Sequence, residues 1–276
     1  MKIAFQGEHG AYSEQAIREH FGNDCVTVPC ISFDEVFSSV ADCSCDCGFI
    51  PVENSVAGSI HRNYDLLLGN NLFVTGEHIT RVSHCLIGLP DARIDQIRRV
   101  VSHPQALAQC ENTLRAMKGV SSEPVYDTAG SVKIIKELGD PAVAAIASQW
   151  AADLYGMQVL AQNIEDNDAN FTRFQIISRE PEVVIQNART SIVFALKNEP
   201  AALFRAMSVF ALRGIDLTKI ESRPLVGKPW EYLFYIDFSG SQAEEKVQKA
   251  ISNLEEYATF LRVLGSYPKY LNNQQQ

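Results

Sequence analysis

Three short segments of this 276-residue chain concentrate neutral hydrogen-bonding side chains of types suited to orienting a polar substrate. Ile50-Pro51-Val52-Glu53-Asn54-Ser55 runs from an apolar strand pattern directly into Asn54 and Ser55. Open α/β sheets place ligands at such strand ends, although a turn or helix cap accounts equally for an isolated Asn-Ser pair. Ser102-His103-Pro104-Gln105 is followed by Gln109, and Gln105 and Gln109 share one face of a helix starting at Pro104. Asn170-Phe171-Thr172-Arg173-Phe174 places Thr172 at the entry to a strand. Such neutral groups orient a polar substrate without the cost of burying a charge. The Thr172 hydroxyl has no useful acidity, so it would serve as a hydrogen-bond donor or a proton relay; the residue also simply suits a strand. His103 reads either as an acid–base group or as a cap ahead of Pro104. Arg173 alternates away from Thr172, toward a structural place or the edge of a site. Cys43-Ser44-Cys45-Asp46-Cys47 offers soft-metal ligands, but no second Cys/His set at zinc-type spacing accompanies it, so no metal is expected.

Alternating strands and helices carry these segments through about residue 178. Ile3–Gln6, Val26–Cys30 and Gly48–Val52 read as strands, with helices after Ser13 and after Ser32-Phe33-Asp34-Glu35, a capping box. Val74–His78 and Val82–Leu89 are predicted as strands leading to a second lobe. Val100–Ser102, Ala142–Ser148 and Thr172–Ser178 follow as strands, with helices capped by Asp127 and stopped by Gly139 and Gly156. After a polar stretch from Arg179 to Arg189, the order becomes strand Thr190–Leu196, helix Ala201–Leu212, strand Ile215–Ser222, turn Leu225–Trp230, strand Glu231–Phe238, helix Gln242–Tyr257 and strand Phe260–Gly265. That is the β-α-β-β-α-β order of a ferredoxin-like unit. Residues 271–276 are expected to be a disordered tail.

A formal charge of −9 argues against a general nucleic-acid or anionic-membrane binder. It leaves room for an anionic small molecule in a locally favourable pocket. No run approaches the ~18 apolar residues of a membrane span. The N-terminus enters a strand pattern with no signal-peptide character, and the seven cysteines, an odd count, read as reduced thiols. A cytoplasmic protein is expected.

The three segments, in this order, resemble the signatures of prephenate dehydratases, and Gly7-Glu8-His9-Gly10-Ala11-Tyr12-Ser13 resembles that family's N-terminal loop. Glu221-Ser222-Arg223-Pro224 resembles the ligand signature of ACT regulatory domains. The resemblance implies an α/β fold: a two-lobed, periplasmic-binding-protein-like catalytic domain over residues 1–180, followed by a ferredoxin-like ACT domain over 188–270. It implies that Thr172, Asn54, Ser55, Ser102 and Gln109 carry catalysis, with Glu53, His103, Gln105, Arg173 and Phe174 on the substrate. Thr172 would contact the leaving oxygen. The implied reaction is decarboxylating dehydration of prephenate to phenylpyruvate; aromatisation drives it, so no cofactor is expected. Phenylalanine would act as allosteric inhibitor through Asn198, Ala201, Ala202, Leu203 and Glu221, Ser222, Arg223, Pro224. Ala201 stands where the family's signature has glycine, which usually permits close backbone approach. Homodimers formed through ACT domains, doubled to tetramers, are implied as well. Arogenate dehydratase and a non-catalytic amino-acid sensor are the alternatives to this reading.

Overall fold

The computed structural model describes residues 1–225 and 230–271. The remaining residues of the expected 225–230 turn and the expected C-terminal tail lie outside the described residues. In chain order, β1 (Lys2–Gln6), α1 (Tyr12–Phe21), β2 (Val26–Cys30), α2 (Phe33–Ala41), β3 (Cys47–Asn54), β4 (Gly58–Ser59), α3 (His61–Gly69) and β5 (Phe73–Arg81) come first. The chain then enters a second sheet with β6 (Cys85–Gly88), β7 (Arg99–Ser102), α4 (Pro104–Gln109), α5 (Glu111–Ala116), β8 (Ser121–Pro124), α6 (Thr128–Leu138), β9 (Val143–Ala147), α7 (Gln149–Tyr155) and β10 (Gln158–Ala161). It returns to the first sheet in β11 (Phe171–Ser178). The C-terminal part is β12 (Ala188–Leu196), α8 (Ala202–Ala211), β13 (Leu217–Pro224), β14 (Tyr232–Ser239), α9 (Glu245–Tyr257) and β15 (Ala258–Pro268).

The local signals act where the sequence places them. Ser32 Oγ accepts the Glu35 N–H at 3.2 Å, while the Glu35 carboxylate reaches one residue further back, to the Ile31 N–H at 2.7 Å. Asp127 Oδ1 accepts the Gly130 N–H at 2.7 Å and opens α6, which Gly139 closes in the left-handed conformation at φ 65°. Gly156 stops α7 in the same way.

The first sheet has the order β2-β1-β3-β11-β5, with β4 paired to β3; the second has the order β10-β6-β9-β7-β8. Both are mixed. β1 runs parallel to β2 and β3 while β4 opposes β3, and β7 runs parallel to β8 and β9 while β6 opposes β9 and β10. The crossover from β5 to β6 falls where the sequence predicts it. Leu86, Val100, Ala144 and Ile146 pack with Ile97, Ala106, Cys110 and Ile164 as the core of the second lobe. In the first lobe the buried Glu14 carboxylate on α1 accepts from the Gly10 N–H, Thr27, His9 and Arg18 at 2.7–3.1 Å, which fastens the 7–12 loop to α1 and β2.

The third sheet is antiparallel throughout, in the order β13-β14-β12-β15. Ile192, Phe194, Phe210, Ile236, Phe238 and Leu254 bury one of its faces under α8 and α9. By packing, the described chain forms two compact units, Met1–Asn63 with His78–Phe174, and Tyr64–Glu77 with Gln175–Gln276. The packing units interleave along the chain, and the reason is visible within the second. Tyr235, whose side chain alternates away from the α8/α9 core, donates to the Tyr64 carbonyl at 3.0 Å. Arg262 donates to the carbonyls of Leu67, Leu68 and Leu72, satisfying the C-terminal end of α3. Arg189 pairs with the fully buried Glu77 carboxylate at 2.5 Å. Any Cβ added at Gly265 would collide with the Val74 carbonyl oxygen, so only glycine permits this approach.

Burial alone would raise the Glu14 carboxyl, but its four donors outweigh it and hold the pKa at about 2, against an ordinary 4.5. A depressed folded pKa stabilises above the unfolded value and loses that contribution as pH falls through the folded one. Glu14→Gln is therefore expected to lose about 3 kcal/mol in urea unfolding at pH 7. The difference from wild type should shrink steadily between pH 5 and pH 2; a gap that stays constant over that range would contradict the assignment.

Candidate active site

At the carboxyl end of β3 the chain turns sharply. Asn54 Oδ1 accepts the backbone N–H groups of Val56 and Ala57 at 3.1 and 2.8 Å. The side-chain oxygen caps this turn, so the amino end points the other way. Asn54 Nδ2 donates to Asn170 Oδ1 at 2.8 Å and to Thr172 Oγ1 at 3.0 Å, with the Phe171 carbonyl at 3.2 Å. All three side chains are buried, Asn54 at 7%, Asn170 at 1% and Thr172 at 8% exposure. Because Thr172 Oγ1 accepts from Asn54, its own proton remains available to donate elsewhere. Ser55 completes the joint between β3 and β11: its hydroxyl donates to the Ala169 carbonyl at 2.6 Å and accepts the Phe171 N–H at 2.9 Å.

Thr172 and Asn54 open onto a cavity of about 170 Å³ within the first compact unit. His103, Gln105, Gln109 and Phe174, all expected at the site, line it with them. Gln105 and Gln109 look into it from one face of α4, as their spacing implies. His103 caps α4, its Nδ1 accepting the Gln105 N–H at 3.2 Å. Phe174 contributes an apolar wall and stacks on Phe49 with centroids 4.9 Å apart. Apolar area also comes from Pro51, Ile60, Val82 and Ala106.

Other expected residues sit elsewhere. Ser102 is fully buried and donates to the Ile146 carbonyl at 2.6 Å, joining β7 to β9 behind α4. Ser55, Glu53 and Arg173 are not among the cavity-lining residues; Glu53 pairs with Ser59 in the β3–β4 ladder, and Arg173 is 9% exposed on β11. The cavity also takes Tyr12, Ser13, His84 and Thr128, which residue-type reasoning did not select. Tyr12 and Ser13 lie within the N-terminal loop segment already noted, but nothing local marks His84. Its Nε2 lies 2.9 Å from Gln109 Oε1 and its Nδ1 lies 2.8 Å from the Tyr12 hydroxyl, partners 25 and 72 residues away. The Cys43–Cys47 segment holds free thiols, Cys45 and Cys47 buried and Cys43 exposed. Burial pushes the Cys47 thiol up to about 12.

A second cavity lies in the C-terminal unit. Asn198, Ala202 and Leu203 line it with Trp230, Tyr232 and Phe234. Ala201 adopts φ 65° at the N-cap of α8, the left-handed conformation that costs a non-glycine residue roughly 1 kcal/mol. Glu221, Ser222, Arg223 and Pro224 are on β13 and do not line this cavity; Arg223 pairs with Asp65 of α3 at 2.7 Å.

Two α/β lobes with a hydroxyl–amide array lining a cavity define an enzyme of the two-lobed α/β class. Residues 3–182 match the prephenate dehydratase (PDT) family. The chain is 50% identical over 281 residues to arogenate dehydratase/prephenate dehydratase 2, chloroplastic, of Arabidopsis thaliana, with 97% of this chain and 73% of the relative covered. A solved structure described as GqqA, a novel type of quorum quenching acylases, is 34% identical with a TM-score of 0.90 and 98% of each chain covered. The prephenate dehydratase from Arthrobacter aurescens, solved in complex with L-Phe, is 30% identical with a TM-score of 0.89, covering 98% of this chain and 90% of that one. The chain belongs to the prephenate dehydratase family, and is a lyase of aromatic amino-acid biosynthesis that dehydrates a substrate of the prephenate/arogenate type.

The direction of the Asn54–Thr172 bond has a testable consequence. In Asn54→Asp the carboxylate can only accept, so the Thr172 proton turns toward it and away from the cavity. Turnover is expected to fall about 100-fold, the lower end of what a positioned proton donor contributes. Thr172→Ser should keep most of the activity. Near-wild-type turnover by a folded Asn54→Asp would remove the hydroxyl's donor role.

Proposed function

We propose that the enzyme catalyses decarboxylating dehydration of arogenate to phenylalanine, with prephenate as the less favoured substrate. The observation that carries this reading is that, among the described residues, no Lys or Arg lines the cavity. Prephenate brings two carboxylates and a net charge of about −2 at neutral pH, whereas the arogenate side chain is a zwitterion and the molecule carries about −1. A site built of amides and hydroxyls favours the ligand in which one carboxylate is paired with the molecule's own ammonium, because desolvating an unpaired charge is costly. The relatives support the same choice. Several plant relatives at 44–46% identity bear the name arogenate dehydratase alone. The sequence reading put prephenate first, and this proposal reverses that order.

In the proposed reaction the bond from the ring carbon to the hydroxyl oxygen breaks while the ring carboxylate leaves as CO₂. The electron pair of the broken C–C bond enters the ring and makes it aromatic. The Thr172 hydroxyl donates to the departing oxygen, which leaves as water with a proton ultimately from solvent. Asn54 and Asn170 hold that hydroxyl in place, and the amides of Gln105 and Gln109 receive substrate oxygens. Such positioning lowers the barrier without an acidic side chain at the leaving group.

The C-terminal β-α-β-β-α-β unit, with its 2-3-1-4 strand order, is proposed to be a ferredoxin-like ACT domain that binds phenylalanine and pairs with a second copy. The bound L-Phe of the Arthrobacter aurescens relative supports the ligand.

The measurement is kcat/KM for arogenate and for prephenate with wild type and Thr172→Val, each with and without phenylalanine. A higher kcat/KM for arogenate, loss of both activities in a folded Thr172→Val, and inhibition by phenylalanine are expected. A preference for prephenate would overturn the substrate assignment. Full activity in Thr172→Val would overturn the catalytic one.

A further inference from the structure

The hydrogen bonds around Asn54 have a polarity, and it propagates outward from two peptide N–H groups that can only donate. These fix Asn54 Oδ1 toward Val56 and Ala57, and hence Asn54 Nδ2 toward Asn170. Asn170 Oδ1 must then be the acceptor, so Asn170 Nδ2 is the group that donates to Gln109 Oε1 at 3.1 Å. The same Gln109 oxygen lies 2.9 Å from His84 Nε2. An amide oxygen only accepts, so His84 carries a proton on Nε2. His84 is 2% exposed, and burial lowers its pKa below the ordinary 6.5. The ring is therefore neutral, with Nδ1 bare and facing the Tyr12 hydroxyl at 2.8 Å. That hydroxyl has one proton for two acceptors, His84 Nδ1 and the Ser83 carbonyl at 2.7 Å. Burial raises the Tyr12 pKa well above 10, so the proton stays on the phenol. Glu165, the carboxylate whose charge acts on this ring, accepts the His84 backbone N–H and pairs with Arg81.

With its oxygen held by two donors, Gln109 has its amino group as the end left to donate. Gln109 lines the Thr172 cavity and also a neighbouring one with Gln105, Glu165 and Asn170; the amino group is assigned to the Thr172 cavity. Without the imidazole, one of the two donors that select this orientation is gone, and the amide can rotate and present its oxygen to an anionic substrate. We propose that His84, backed by Tyr12, is a positioning residue for the dehydration: as the Nε2–H tautomer it locks the Gln109 amide so that the amino group donates to a substrate carboxylate. This inference rests on the dehydratase reading above. It names which end of Gln109 meets the substrate and what sets it.

Two measurements separate this role from simple packing. The first is steady-state kinetics on His84→Leu, His84→Gln, Gln109→Leu and the double variant His84→Leu/Gln109→Leu. A hydrogen bond to a carboxylate exists in both ground and transition states, so its loss raises KM and leaves kcat nearly unchanged. His84→Leu should raise KM about 10-fold, the effect of losing one charge-assisted bond. His84→Gln, which keeps an N–H donor, should restore it, and the double variant should be no worse than Gln109→Leu alone. A purely packing role predicts instead additive losses and a fall in stability with KM unchanged, and that result would overturn the proposal. The second measurement is ¹⁵N NMR of the histidine side chains in the wild-type protein, with His84→Gln used to assign the ring. One ring that is neutral and protonated on Nε2 at pH 8, that gains its second proton only below the ordinary 6.5, and that is missing from the spectrum of His84→Gln, is expected. A His84 ring protonated on Nδ1, or on both nitrogens, at pH 8 would overturn the tautomer and with it the Gln109 orientation. If wild type turned over neither arogenate nor prephenate, the dehydratase reading would fall, while the NMR result would still decide the tautomer.

Discussion

Two peptide N–H groups in the turn after β3 set the chemistry of the cavity. Val56 and Ala57 have no choice but to donate, and the side chain that receives them is Asn54. Everything downstream takes its direction from that choice: the donor to Thr172, the acceptor on Asn170, and the end of Gln109 that faces inward. Amide side chains are nearly symmetric in shape, so packing alone would leave each orientation degenerate. A backbone-anchored end breaks the degeneracy for the whole array. Buried polar groups bonded to one another in this way are rigid, because each alternative orientation would set donor against donor or acceptor against acceptor.

The array also joins parts of the chain that are far apart in sequence. Asn54 ends β3 in the first lobe, Gln109 ends α4 in the second, and His84 and Asn170 sit in the two strand-to-strand connections that cross between the sheets. Residues in the crossings therefore hold residues from each lobe. α3 leads away from the same turn. Asn63, near its start, donates to the Pro51 carbonyl beside Asn54, and Arg262 satisfies carbonyls at its far end. Within the C-terminal unit, the buried Glu77–Arg189 pair and the Arg223–Asp65 pair hold the segment that contains most of α3 and the start of β5.

Local physics was legible in the sequence, and long-range pairing was not. Ser32 with Glu35, Asp127, Gly139 and Gly156 carry their signals within four residues, and the helices start and stop there. The β-α-β-β-α-β order followed from alternation and helical periodicity in the same way. Motif residues divided according to what a motif records. Asn54, Gln109 and Thr172 reach the cavity, whereas Ser102 is used to bond β7 to β9, a role indistinguishable from catalysis when only the residue type is visible. His84 has no helical or turn context and follows a serine in an ordinary crossover. Its place depends on contacts with Tyr12 and Gln109 that no window of sequence contains. The short β8 and β10 escaped for a related reason: Ser121–Pro124 is exposed throughout, so burial left no alternation to read.

Net charge, finally, describes the surface and not the site. A chain at −9 has to admit an anionic molecule to a cavity that no Lys or Arg lines among the described residues. In the proposed reaction, long cationic side chains would bind such a molecule tightly and would hold the ring carboxylate by stabilising its charge in the ground state. Attraction equal in ground and transition states speeds nothing once the site is filled. Neutral donors fixed by their own hydrogen bonds hold the ligand in register and leave the ring carboxylate free to lose its charge. The apolar wall of Phe174, Pro51 and Val82 suits the aromatic ring that forms as that charge disappears. The same neutrality explains the reliance on hydrogen-bond polarity: where charge does not dictate orientation, the direction of each amide must.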